Sequence, residues 1–197
     1  SEMCIRDSNY ADKSERFYGN NDVDGPDSMH GTHVSGIIAA KSGNGIGMDG
    51  IAGNGYVKIM SVRTVPNGDE RDKDVANAIR YATDNGAKIL NMSFGKAYSP
   101  DKQIVWDAFK YAEKKGLLLI KAAGNENVNI DDEIHFPTVY DDKGVEVSKN
   151  VITVGANTMD NDNLRASFSN FGKKSVDVFA PGNEIYSTVP NKDGEYK

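Results

Sequence analysis

The sequence has only one cysteine, Cys4, among its 197 residues. A single cysteine can form no internal disulfide, so the chain is not a small secreted domain held together by cross-links. Long apolar runs are also missing, because the longest spans about seven residues around 116–120. A membrane-spanning helix needs roughly 18 or more apolar residues. We therefore expect a soluble globular protein with no segment inserted in a membrane.

A surplus of basic residues is missing as well. Lysine and arginine together number 23 and aspartate and glutamate 29, which gives a formal net charge of −6. Proteins that bind nucleic acids or anionic membranes through their overall charge carry a basic surface. The composition therefore argues against both kinds of partner. Glycine, in contrast, is abundant, with 20 residues against 6 prolines.

Both ends of the sequence look cut. Residues 1–8 read SEMCIRDS, and this octet has neither the apolar core nor the cleavage site of a signal peptide. The octet resembles translated adapter sequence and is set aside from the fold. We expect residues 1–24 to be a poorly ordered N-terminal segment outside the main domain and residues 25–197 to form one partial domain. Residues 193–197 look like a loop whose following element is absent.

Helix-like and strand-like patterns alternate from residue 30 onward. Apolar spacing predicts helices over 33–40, from a cap at Asp72 or Asp74 to Gly86, and from Ser99–Pro100 to Gly116. Short apolar or alternating runs predict strands over 57–62, 88–92, 117–120, 151–154 and 176–179. This alternation is typical of a doubly wound α/β fold with a mostly parallel sheet and helices on both faces, here incomplete at both ends.

Three short blocks contain residue types that catalysis uses. They read His-Gly-Thr-His-Val-Ser-Gly from His30, Asn-Met-Ser-Phe-Gly from Asn91 and Ala-Ala-Gly-Asn-Glu from Ala122. A histidine titrates near neutral pH and suits a general base, although a lone histidine is more often a surface or capping residue. An amide just after a buried strand, as at Asn125, can donate to developing negative charge or simply form a turn. Each block alone is weak evidence.

Together, and in this order, the blocks resemble the subtilisin-like serine endopeptidases. Two later stretches, Ala166–Gly172 and Val176–Gly182, also fit the family, so the resemblance covers nearly all of residues 25–197. It implies a subtilisin-like α/β fold and hydrolysis of peptide bonds through an Asp-His-Ser triad. A non-catalytic homologue that binds peptides or partners in the same cleft is the alternative.

The resemblance assigns roles residue by residue. His30 matches the general base, and Asn125 matches the side-chain donor of the oxyanion hole. The segments expected to hold an extended substrate are Ser93, Phe94 and Gly95 on one side, Ala122, Ala123 and Gly124 on the other, and Gly68 at a second edge. Because Phe94 would form an apolar wall, we expect tolerance for large apolar side chains before the scissile bond.

Two triad members have no clear match. The string Asp7-Ser8-Asn9 lacks the glycine of the family's aspartate motif and follows no hydrophobic strand, and no Gly-Thr-Ser string for the nucleophile exists. We therefore expect the sequence to be the middle of a protease. This chain alone should be poorly stable and inactive as a peptidase.

Metal sites are weaker alternatives. His30 and His33 are three residues apart and could share a helix face with zinc, but His135 has no motif that marks it as a third ligand. The loop Asn44–Met48 resembles a family loop that can hold calcium, whereas Asp131–Glu133 is interpreted as a solvated insert. No cofactor is expected for catalysis, and structural calcium is the only metal that the resemblance suggests. The expected partner is a polypeptide substrate, and the expected location is secreted or cell-envelope.

Overall fold

The computed structural model describes residues 3–4, 21, 23, 28–65 and 68–190. The helices in these ranges are α1 (Met29–Ala39), α2 (Asp72–Asp84) and α3 (Lys102–Lys114). The strands are β1 (Met3–Cys4), β2 (Val62–Arg63), β3 (Ile89–Met92), β4 (Leu118–Ala122), β5 (Val151–Asn157) and β6 (Val178–Pro181). The Asp7-Ser8-Asn9 string and the end of the chain from residue 191 lie outside the described residues.

The centre of the fold is a four-stranded sheet in the order β3-β4-β5-β6. All three neighbouring pairs are parallel, with Met92 opposite Lys121 and Lys121 opposite Thr153. Parallel neighbours require a crossover connection, and α3 lies between β3 and β4 in the chain. The predicted α/β fold with a parallel sheet is therefore confirmed. β1 and β2 form a separate parallel pair.

The main core lies where α2 and α3 pack against each other and against one face of the sheet. Phe109 and Ala112 of α3 and Leu119 of β4 are fully buried there, together with Ile79 of α2. Strands alternate their side chains between two faces, so Leu118 and its neighbours point to the opposite side of the sheet. That side is only half-buried.

The predicted strand over 57–62 is wrong for most of its length. The structure has a strand only at Val62–Arg63, and the side chains of Val57 and Ile59 are each 44% exposed. An alternating pattern stabilises a strand when one face is buried against a partner, and this segment buries neither face. The helix predicted over 33–40 instead begins at Met29, so His30 lies in its first turn rather than before it.

The ends of α2 and α3 show one correction and one agreement. Asp72 and Asp74 do not cap α2: the N-cap residue is Arg71, and both aspartates lie in the first turn of the helix. Negative charge there still interacts favourably with the helix dipole. The predicted stop signals are confirmed, because Gly86 and Gly116 follow the helix ends with φ of 85° and 76°.

Candidate active site

The site expected from the sequence lies where β3 and β4 end. Parallel strands bring their carboxyl ends to the same edge of the sheet, which is where open α/β sheets bind ligands. The segment after β3 also pairs with a third segment, because Lys96 and Phe136 exchange two backbone hydrogen bonds of 3.0 and 2.8 Å. Three chain segments, around residues 95, 124 and 136, therefore meet at this edge.

A histidine lies between the first two of these segments. A Cβ built on Gly95 would lie 2.2 Å from Nε2 of His135, and one built on Gly124 would lie 2.8 Å from the same atom. Both distances are too short for real atoms, so a side chain at either position would have to displace the ring. Gly124 also has φ of 105°, a conformation that favours glycine. The structure thus brings Gly95 and Gly124 together around His135.

The loop that bears Asn125 is held by the buried side chain of Asn170. Its Oδ1 accepts hydrogen bonds from the backbone N–H groups of Glu126 and Val128 at 3.0 and 3.1 Å. Its Nδ2 donates to the carbonyl of Ala123 at 3.0 Å and to Oε2 of Glu126 at 2.6 Å. Glu126 Oε2 in turn accepts from the N–H of Asn125 at 2.9 Å. The backbone of Asn125 is therefore fixed, while its side chain is exposed.

The other residues of the two strand ends differ in exposure. Ala123 is 1% exposed and is tied to β5 by its N–H, whereas Ala122 is half-buried. Ser93 accepts a hydrogen bond of 2.8 Å from Nδ2 of Asn91. Phe94 is half-buried and packs against the main core. Part of its ring therefore serves the core, and an apolar pocket wall at Phe94 stays a prediction.

The segment after β3 is anchored to α2 by a buried ion pair. Nζ of Lys96 lies 2.7 Å from Oδ1 of Asp72 and also donates to the carbonyl of Glu70 at 2.7 Å. The same carboxylate accepts from Ser99 Oγ at 2.7 Å and from the N–H of Asp101 at 2.8 Å. Asp72, which the sequence suggested as a helix cap, therefore fixes the loop that follows Gly95.

The remaining predicted residues lie on α1 and in the loop before α2. His30 is exposed in the first turn of α1, and Gly68 is exposed with φ of 109°. His33 has a structural contact, since its Nε2 lies 3.0 Å from the carbonyl of Ile185. Within the described ranges, no hydrogen bond joins His30 to the residues around Gly95 or Asn125.

The family assignment follows from comparison with known proteins. Residues 3–196 match the sequence model of the subtilase family. The chain belongs to this family. The match begins ahead of the domain boundary expected at residue 25, and that boundary stays a prediction.

Individual subtilases show how much of such a protein the chain represents. It is 40% identical over 187 residues to the cell wall-associated protease of Bacillus subtilis (strain 168), covering 94% of this chain and 19% of that protein. It is 37% identical over 190 residues to thermitase of Thermoactinomyces vulgaris, covering 93% and 62%. A solved cold-adapted subtilisin-like serine proteinase matches with a TM-score of 0.65 at 31% identity, covering 86% and 54%. The chain thus spans less than two thirds of each of these subtilases.

A buried lysine is a feature of this subtilase that the sequence did not lead us to expect. Lys121 of β4 is 3% exposed, and burial lowers its pKa to about 8 although Asp177 opposes the shift. It lines a cavity of about 10 Å³, the size of one water molecule, together with His135 and Thr153. Thr153 Oγ1 is buried there without a hydrogen-bond partner. A charged residue in an otherwise apolar strand was the signal that could have marked this place.

The metal hypotheses gain no support from the described part of this subtilase. There, no three histidine, cysteine or acidic side chains cluster as metal ligands. In the candidate calcium loop, Oδ1 of Asn44 accepts from the N–H of Ile46 at 3.0 Å, and Oδ1 of Asp49 accepts from the N–H of Gly43 at 3.0 Å. These oxygens shape the loop, and calcium at this loop stays a prediction.

Asp131, Asp132 and Glu133 are all exposed, as expected for a solvated insert, but Asp131 also bonds to the backbone ahead of β6. Its carboxylate accepts hydrogen bonds from the N–H groups of Lys173, Lys174 and Ser175 at distances between 2.7 and 3.3 Å. Partial burial alone would raise the pKa of Asp131, but these bonds and one from the Ser175 side chain lower it. Asp131 therefore fixes the turn before β6.

Across the described residues, no helix has the length and apolar character needed to span a bilayer.

Proposed function

We propose that this chain is part of a subtilisin-like serine endopeptidase, which hydrolyses peptide bonds through an Asp-His-Ser triad and a seryl acyl-enzyme. The observation that carries the proposal is the meeting of the Gly95 and Gly124 segments at the carboxyl edge of a parallel sheet, in a chain of the subtilase family. Relatives such as thermitase and the cell wall-associated protease carry protease names.

In this proposal, His30 is the general base. It takes the proton of the serine hydroxyl as the hydroxyl attacks the carbonyl carbon, and it later gives that proton to the leaving amine. Its exposed position in the first turn of α1 keeps the ring accessible to a substrate. Asn125 donates its side-chain N–H to the oxyanion that forms on the carbonyl oxygen. The fixed backbone and exposed side chain of Asn125 suit this role.

The substrate is an extended polypeptide. Exposed backbone groups at strand ends can pair with a peptide main chain as an added strand would, and side-chain pockets then select the sequence. Ser93 to Gly95 form one wall in this proposal, Ala122 to Gly124 form the other, and Gly68 lies at a second edge. Glycine at these places lets the peptide approach closely.

Activity requires more than the described residues supply. The sequence contains no Gly-Thr-Ser string for the nucleophile, and we propose that the chain by itself does not hydrolyse peptides. The complete protein that contains it acts on polypeptides outside the cytoplasm or at the cell envelope. Support for that location comes from the relative named as a cell wall-associated protease.

The test is cleavage of fluorogenic peptides by the complete protein and by two variants. Replacing the base, His30→Ala, should lower kcat by about 10⁶-fold, as loss of the base does in subtilisin. Asn125→Ala should lower kcat by about 10²–10³-fold with little change in KM, the loss that follows removal of such a donor from a subtilisin. Asn163→Ala, at an exposed asparagine in the turn that follows β5, is the matched control. Peptide binding without cleavage by the unaltered protein would instead favour a non-catalytic homologue.

A further inference from the structure

The turn that follows Asn125 lies against a second segment of the chain, residues 166–171. The N–H of Asn127, two residues after Asn125, donates to the carbonyl of Phe168 at 2.9 Å. Asn127 has φ of 57°, in the left-handed region. A residue other than glycine keeps such a conformation where the surrounding contacts hold it. The path of the chain after Asn125 therefore depends on what contacts Asn127.

Arg165 supplies a contact of this kind. Its Nη1 donates to Oδ1 of Asn127 at 2.9 Å and to the carbonyl of Ser169 at 2.5 Å. A longer contact of 3.4 Å reaches the carbonyl of Ala166. The guanidinium carbon lies 4.6 Å from the ring centroid of Phe171, within the range of a cation–π interaction. Although Arg165 is exposed, its guanidinium is thus held in place and ties Asn127 to the neighbouring segment.

This contact is separate from the one that Asn170 makes. Asn170 accepts hydrogen bonds from the backbone N–H groups of Glu126 and Val128, whereas Arg165 bonds the side chain of the residue between them. A side-chain amide stabilises a developing oxyanion best when it is already fixed, because no reorganisation is then needed at the moment of reaction. The loop that bears Asn125 therefore has two independent anchors, one buried and one at the surface.

We propose that Arg165 is a positioning residue for the oxyanion donor. Through Asn127 it fixes the orientation in which Asn125 meets the carbonyl oxygen of the substrate. The inference rests on the proposed function, because it takes Asn125 as that donor. Lysine does not substitute for arginine here, since a single ammonium lacks the planar group that bonds Asn127 and Ser169 while it stacks on Phe171.

The test measures kcat and KM of the complete protein on a fluorogenic peptide after Arg165→Lys, alone and combined with Asn125→Ala. Arg165→Lys alone should lower kcat by about tenfold and change KM by less than about twofold, a part of the 10²–10³-fold loss that removal of such a donor causes. In the Asn125→Ala background it should change kcat by less than about twofold, because the donor that it positions is gone. The matched control is Arg80→Lys, at an arginine stacked over Tyr111 at 5.1 Å, and it should leave kcat unchanged.

Asn127→Gly is measured in parallel, with circular dichroism as the check on folding. It removes the acceptor of the Arg165 bond, and glycine accepts the positive φ without strain. It should lower kcat as Arg165→Lys does, and the double variant should be no slower than either single one. An active protein whose folded variants keep full kcat, or lose the same factor with and without Asn125, would overturn this inference alone. A complete protein that cleaves no peptide would overturn the proposed function and this inference together.

Discussion

The side-chain amide of Asn170 holds Glu126 at two points, donating to its carboxylate at 2.6 Å and accepting from its backbone N–H at 3.0 Å. Asn170 is fully buried, and the two residues are 44 positions apart in the sequence. The conformation of the loop around Asn125 is thus set by a distant side chain. This arrangement explains how Asn125, whose side chain is exposed, can have a defined backbone position.

Replacing this amide should therefore affect both stability and chemistry. Asn170→Ala removes the partners of two backbone N–H groups and of the Ala123 carbonyl. Each polar group left unpaired in the interior costs about 1–3 kcal/mol, so the free energy of unfolding should fall by about 3 kcal/mol or more. In the complete protein, kcat should fall more than KM rises. Urea titration and steady-state kinetics measure the two effects, with the exposed Asn163→Ala as control. A variant with normal kcat would show that the loop does not depend on Asn170.

The buried pair between Lys96 and Asp72 should matter far more than an exposed one. Lys96→Met leaves the Asp72 carboxylate buried without its counter-charge, which destabilises proteins by about 3–5 kcal/mol. Removing both charges, as in Lys96→Met with Asp72→Asn, should recover part of that loss. The control is Lys102→Met at the exposed Lys102–Asp142 pair, where we expect less than about 1 kcal/mol. Urea midpoints measure the change in the free energy of unfolding for each variant. Equal decreases for the two lysine substitutions would contradict the expectation.

Acidification should weaken the fold through His135. Burial lowers the pKa of His135 below its ordinary value of 6.5; Glu126 opposes the shift and Lys121 adds to it. The unfolded chain therefore binds a proton more readily than the folded one as the pH falls through 6.5. Stability contributed by the neutral ring is complete above that pH and decreases below it, until the folded state also takes up the proton.

The measurement is the melting temperature between pH 7.5 and 5 for the unaltered protein and for His135→Gln. The variant has no titrating ring at this position, so its melting temperature should fall less over the same interval. Parallel curves for the two proteins would mean that His135 does not titrate differently in the folded and unfolded states.

Lys121 should likewise make the fold more stable as the pH rises, here in the alkaline range. Its pKa is about 8 in the folded state against 10.5 ordinarily, so below pH 8 the fold bears the full penalty of a buried charge. Between pH 8 and 10.5 the folded state loses the proton first, and stability should rise by up to about 3 kcal/mol relative to a variant without this amine. Lys121→Met is that variant, and exposed Lys143→Met is its control. The difference in urea midpoint at pH 7 and pH 10 measures the effect, and a constant difference would refute it.

Much of the fold could be predicted because the signals are local. The run that became Leu118–Ala122 is apolar and follows a glycine stop, and α3 shows its buried face in the spacing of Val105, Ala108 and Ala112. The strand expected from Val57 failed because alternation describes a side-chain pattern and does not supply the partner that a strand needs. Local pattern predicts elements better than it predicts their pairing.

The candidate site likewise has residues that local motifs predict and residues that they do not. Its glycines and Asn125 stand next to strands in motifs that can be read along the chain. His135 and Asn170 could not be assigned roles, since each acts through contacts with residues about 40 or more positions away. Asn170 lies inside one of the stretches that resemble the family. A polar residue in that stretch was the available sign that it has a structural role. Packing across the sheet edge, rather than any sequence spacing, gives these two residues their roles.

The sheet face opposite α2 and α3 has a consequence for handling the isolated chain. By register, Leu118 lies beside Ile89, and Ile120 lies beside Ile152, all on this face. Ile89 is 62% exposed and the others are half-buried. Contiguous apolar surface of this kind promotes association. The purified chain should therefore associate as its concentration rises, through the partly exposed side of a sheet whose other side is well packed.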